Sequence, residues 1–200
     1  MSFGIKSVGM SYHMGIHKEI SSVKKEVIEE NIQNLLHYGL DTHLRVTITS
    51  KNYYLLRQIC EDAIILGAKG IKFTNFMRMG AATNLEQENI LTNEQIKIFF
   101  KELSEARKIY PKEKFLIRRC GSFGDNSLGC KFTCTAAKDS VAITPELKVY
   151  PCFFLTKKGM EIGYVDNEGK IIIDKEIKHD GKRCLAREIN NNGYEISWNI

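Results

Sequence analysis

Two hundred residues, 43% of them apolar and 26% charged, suffice for one large domain or one domain plus a small module, with a core that needs no disulfides. The net charge of +5 is mild, and Lys and Arg are interleaved with Glu, as at Lys24-Lys25-Glu26 and Lys175-Glu176-Ile177-Lys178, which fits solvated faces and speaks against a nucleic-acid-binding stripe. No stretch approaches the roughly twenty apolar residues of a membrane span, and MSFGIKSVGMSYHMGIHKE lacks the pattern of a secretory signal, so a cytoplasmic, reducing setting is expected, where cysteines at motif spacing serve metals or catalysis more often than disulfides.

Residues Ile5 to Ser11 carry strand character through Ile5, Val8 and Met10. Val23, Val27, Ile28, Ile32, Leu35 and Leu36 recur at steps of three and four, which predicts a helix with one buried face, and Gly39 stands where a left-handed cap belongs. Leu44, Val46 and Ile48 alternate with Arg45, Thr47 and Thr49 as a strand. Leu55, Leu56, Ile59, Cys60, Ala63 and Ile64 mark a second amphipathic helix ended by Gly67, with Cys60 as a small core residue. Gly70 to Phe73 opens a third strand that runs toward Phe76. Thr92 and Gln95 then form a capping box for a helix with Ile96, Phe99, Phe100, Leu103 and Ala106 as its stripe, stopped by Pro111. Lys114 to Arg119 reads as a fourth strand.

Strand and helix thus alternate at a period near thirty residues, which argues an α/β fold with a parallel sheet and right-handed crossovers. The strands are too few for an eight-stranded barrel. After Cys152 the pattern changes to short strands. Ile162 to Val165 and Lys170 to Asp174 flank the turn Asp166-Asn167-Glu168-Gly169, and Tyr194 to Ile200 reads as a last strand. A boundary near Tyr110 to Cys120 separates a βα part, residues 1–113, from a cysteine-bearing β part, residues 114–200.

Four of the six cysteines lie between Cys120 and Cys152, and Cys184 follows in the tail. Val141, Ile143 and Val149, interrupted by Thr144-Pro145-Glu146, read as a β-hairpin with Cys134 and Cys152 near its ends. Thiols gathered in this way suit an iron–sulfur cluster or a zinc ion; the alternatives are a disulfide-stapled loop or scattered buried cysteines.

In this order the segments resemble the second half of a radical S-adenosylmethionine enzyme with an appended SPASM or twitch module. SVGMSYHMGIHKEI looks like the family's fourth-strand segment. The run from LRVTITS through NFMRMGAA looks like its fifth strand, helix and sixth strand, and ILTNEQIKIFFKEL like the following helix. CTAAKDSVAITPELKVYPC resembles the auxiliary-cluster hairpin, and its VYPC end is the most specific element. The resemblance covers nearly the whole chain. It implies a partial (βα) barrel fragment followed by a hairpin module that binds an auxiliary [4Fe–4S] cluster, with Cys134 and Cys152 as the hairpin ligands and Cys130 and Cys184 as the third and fourth. Cys120 is an alternative ligand or a free thiol at a strand end. Ser11, Met77 and Gly80 match segments that approach S-adenosylmethionine in the family. In such enzymes the auxiliary cluster accepts an electron from a substrate radical or anchors the substrate, which is commonly a peptide or protein.

The sequence departs from the family pattern in four places. Leu147 replaces the turn glycine, so the turn must be built differently or lack a left-handed residue. Gly80-Ala81-Ala82 replaces Gly-Arg-Ala. The tail lacks the closing Cys-x-x-Cys pairs, which favours the one-cluster twitch form. The Cys-x-x-x-Cys-x-x-Cys motif of the radical-generating cluster is absent. The chain is therefore expected not to cleave S-adenosylmethionine alone, and to be a fragment, split-gene product or degenerate copy whose partner is an N-terminal radical half. The other reading is a non-catalytic, zinc-stabilised binding module.

Other residues have plain alternatives. His13 and His17 stand four apart, as in helical zinc sites, but Met14-Gly15-Ile16 between them suggests a loop pair near the end of a strand instead. The Ser11 hydroxyl can satisfy a backbone group, and Met77 and Met79 can fill core. Arg118 and Arg119 either stabilise thiolates or face solvent.

Overall fold

The computed structural model describes residues 4–77, 87–120, 133–186 and 189, without the side chains of residues 19, 20, 87 and 120. They divide into two compact units, with the parallel strands in the first and the short antiparallel strands in the second.

The first unit is a four-stranded parallel sheet in sequential order: β1 (Ser7–Ser11), β2 (Asp41–Ile48), β3 (Gly70–Asn75) and β4 (Leu116–Cys120). A short helix, α1 (His17–Ile20), and α2 (Lys25–His37) follow β1; α3 (Leu56–Ile65) follows β2; α4 (Asn93–Ile109) precedes β4. The alternation in β2 decides which face is covered. Leu44, Val46 and Ile48 are fully buried beneath the helices, each worth about 1.5–3 kcal/mol of burial, while Arg45 on the other face is exposed. Register carries this division across the sheet, since Leu44 pairs with Ile71 and Ile71 with Ile117. Ile28 and Ile32 of α2, Ile59, Cys60 and Ala63 of α3, and Ile96, Phe99 and Leu103 of α4 complete the core.

Several predicted stripes are narrower than their periodicity. Val23 precedes α2 and Val27 lies on its outer side, both exposed, because Ile28 and Ile32 occupy the covered face. Ile64 on α3 is likewise exposed, and Phe100 is only half-buried. The Thr92–Gln95 capping box closes the start of α4: the Gln95 amide donates to Thr92 Oγ1 at 3.3 Å, and Gln95 Oε1 accepts from the Thr92 amide at 2.9 Å. β4 pairs with β3, so the parallel sheet continues past residue 113 to Cys120.

The second unit is a four-stranded antiparallel meander: β5 (Ala142–Ile143), β6 (Lys148–Tyr150), β7 (Gly163–Val165) and β8 (Ile171–Ile173). Val149 and Ile162 are buried at its centre, together with Leu155, Leu185 and Ala186. The β7–β8 turn spans the predicted Asp166–Gly169 segment, where the Gly169 amide donates to the Asp166 carbonyl at 3.0 Å. The predicted strand at Tyr194 to Ile200 lies outside the described residues. Among the described residues no helix is long and apolar enough to cross a membrane.

Candidate metal centre

The predicted hairpin forms as β5 and β6, with Ala142 opposite Tyr150 and Ile143 opposite Val149. The Leu147 amide donates to the Thr144 carbonyl at 2.9 Å, and the Thr144 amide to the Lys148 carbonyl at 3.0 Å. Leu147 has φ +60°, a left-handed conformation in a residue with a Cβ. The expectation that a turn without this glycine would lack a left-handed residue does not hold: Leu147 itself takes that conformation and carries its strain.

Three segments meet at one end of this hairpin. Pro151 and Cys152 follow β6, and the Pro151 carbonyl accepts from the Ala137 amide at 2.9 Å, which brings the Cys134–Ala137 strip alongside. The Cys134 amide donates to the Gly181 carbonyl at 2.7 Å, which draws in the segment leading to Cys184. His179 fastens the same junction. Its Nε2–H donates to the Ala136 carbonyl at 2.7 Å, and its Nδ1 accepts from the Gly181 amide at 3.1 Å; the pair of bonds defines one neutral tautomer. In the sequence His179 has no signal beyond its position five residues before Cys184.

Cys134 is buried and Cys152 half-buried, and both carry thiols. Burial is the main cause that raises the Cys152 pKa above the usual thiol value; nearby Cys184 and Cys134 add to it. The amides of Phe154 and Leu155 act in the opposite sense, although the 3₁₀ turn Phe153–Leu155 has no side-chain capping hydrogen bond from Cys152. The Cys184 and Cys134 thiols are thus electrostatic neighbours of Cys152.

The donor chemistry suits a thiophilic metal, whose cation would supply the missing countercharge. Among the described residues, however, no three His, Cys, Asp or Glu side chains form a ready group for a metal ion. Cys130 and the Cys120 side chain lie outside the described residues; the Cys120 backbone ends β4. Cys60 is a core residue of α3, fully buried in the first unit, and its thiol is pushed up to about 12, chiefly by burial.

Of the residues assigned to S-adenosylmethionine, Ser11 and Met77 lie in or near the first unit's strands. Ser11 ends β1 and is exposed, and Met77 is half-buried just beyond β3. Gly80 and Met79 lie outside the described residues. His13 and His17 serve the fold: His13 Nδ1 accepts from the Thr47 amide at 3.1 Å, and His17 Nε2–H donates to the Val23 carbonyl at 2.8 Å. Arg119 stacks over Phe100, 5.4 Å from its ring centroid. Its neighbour Arg118 lies on the opposite, exposed face of β4.

Compared with models of known protein families and with curated proteins, the chain matches none.

Proposed function

We propose that this chain is the C-terminal part of a radical S-adenosylmethionine enzyme of the peptide-modifying or oxidoreductase type, and that its second unit binds an auxiliary [4Fe–4S] cluster. The observation that carries the reading is that the Cys134–Gly181 and Ala137–Pro151 backbone hydrogen bonds draw the segments bearing Cys134, Cys152 and Cys184 toward one end of the hairpin. Cys134, Cys152 and Cys184 would be ligands, with Cys130 as a further donor. The sequential parallel sheet, with one covered face, supports its reading as a partial (βα) barrel fragment. A sheet that coils around its uncovered face gives that order without the reversal of a doubly wound fold.

When bound, the cluster would accept an electron from a substrate radical or anchor the substrate. The chain's own residues position it. His179 and the Gly181 carbonyl fix the approach of the tail to the hairpin. Cleavage of S-adenosylmethionine would fall to an N-terminal radical half, since these 200 residues contain no Cys-x-x-x-Cys-x-x-Cys motif.

The test is anaerobic iron, sulfide and zinc analysis of the purified chain beside Cys134→Ala and Cys152→Ala. Iron and sulfide in near-equal amounts, lost in both variants, support the proposal. Stoichiometric zinc, with no iron taken up on reconstitution, overturns it in favour of a zinc-stabilised binding module.

A further inference from the structure

The face of the parallel sheet opposite the buried Leu44, Ile71 and Ile117 carries a row of cations. Ser11 pairs with Arg45, Arg45 with Lys72, and Lys72 with Arg118. In-register neighbours on adjacent strands project to the same face, so three positive residues hold adjacent register positions on β2, β3 and β4, with the Arg45 guanidinium turned toward Gly9 of β1. At about 4.8 Å per strand, the row spans roughly 10 Å.

Its surroundings suit an anion. One step toward the strand ends, Thr47 and Thr74 pair in register with their hydroxyl oxygens 3.5 Å apart. One step the other way, His43 lies between Gly9 and Gly70. A Cβ built on Gly9 would stand 3.2 Å from Arg45 Nε, so the Arg45 guanidinium lies over bare backbone. Arg45 and Arg118 are exposed and Lys72 half-buried. Among the described residues none of the three enters an ion pair. Asp41 is the one carboxylate at a register position of this face, and it lies four residues from Arg45, about 13 Å along the strand.

Like charges directly opposite on neighbouring strands destabilise a sheet unless a counter-charge joins them. We infer that the Arg45–Lys72–Arg118 row is a binding site for a phosphate-bearing small molecule of the di- or triphosphate class. A single carboxylate would neutralise one member of the row, whereas a chain of phosphates can meet all three. Two guanidinium forks match phosphate oxygens bidentately, and Ser11, Thr47 and Thr74 offer hydroxyl donors at the margin. This inference goes beyond the cluster proposal and stands on the parallel sheet alone, so metal analysis and anion binding can fail separately.

Calorimetric titration of the full chain with inorganic pyrophosphate at low ionic strength tests it. The expected result is saturable binding that weakens with salt, falls about tenfold in Arg45→Gln and in Arg118→Gln, and disappears in the double variant. Lys97→Gln, on α4, should bind as the unaltered chain does. Unchanged thermal melts would show that the exposed substitutions leave the fold intact. No saturable binding of pyrophosphate, equal binding by the double variant, or binding of an acidic peptide without binding of pyrophosphate would each overturn the assignment.

Discussion

The Cys134 amide donates to the Gly181 carbonyl at 2.7 Å, and that carbonyl belongs to a residue at φ +76°. The contact ties the start of the cysteine hairpin to the segment ending at Cys184, and it depends on glycine twice. A Cβ at position 181 would be strained by the backbone, and it would stand 3.3 Å from the Cys134 carbonyl oxygen. Gly181→Ala should destabilise this junction by about 1–2 kcal/mol. Tryptic cleavage after Lys182 should then accelerate about tenfold if it follows opening of the segment. An unchanged cleavage rate would show that Gly181 does not hold the tail in place.

Leu147 offers the opposite experiment. It occupies a left-handed turn position while about half exposed, at 51%, so it pays backbone strain with little packing in return. Leu147→Gly should stabilise the second unit; the relief of about 1–2 kcal/mol is partly offset by the greater freedom of glycine in the unfolded chain. The net gain should be about 0.5–1 kcal/mol, read as a higher thermal midpoint for the metal-free protein. A lower midpoint would mean that the leucine side chain packs more than its exposure indicates.

These two positions also mark how far the sequence could be read. The parallel sheet was legible because Leu44, Val46 and Ile48 alternate strictly and the helix stripes recur at 3.6 residues, signals set by local geometry. The capping box at Thr92 and the hairpin at Thr144–Pro145–Glu146 were legible for the same reason. The junction around Gly181 was not. His179 and Cys134 are 45 positions apart in number, and no local period reports that His179 will bond Ala136. No local period links Arg45, Lys72 and Arg118, and only the inter-strand register brings them into one row.

The cap at Thr92 gives a direct measure of the first unit. Its hydroxyl satisfies the Gln95 amide on an exposed helix end, and the Gln95 side chain returns a bond to the Thr92 amide. Thr92→Ala should lower stability by about 1 kcal/mol, whereas Thr92→Ser should keep most of it. Equal losses in both variants would place the effect in the methyl group's packing instead of the cap.

His13 makes the stability of the first unit depend on pH. Burial, with a smaller contribution from His17, lowers its pKa from 6.5 to about 4, and its Nδ1 must be unprotonated to accept from the Thr47 amide. In the unfolded chain the ring binds a proton below about 6.5, so between pH 6.5 and 4 the unfolded state holds more protons than the folded one. Stability is therefore complete above pH 6.5 and declines as pH falls toward 4. After discounting for the ring's partial exposure, the loss should be about 1–2 kcal/mol. His13→Asn removes the titrating group, and its urea midpoint should fall less between pH 7 and pH 5 than that of the unaltered chain. Parallel pH curves for the two proteins would rule out His13 as the source of the dependence.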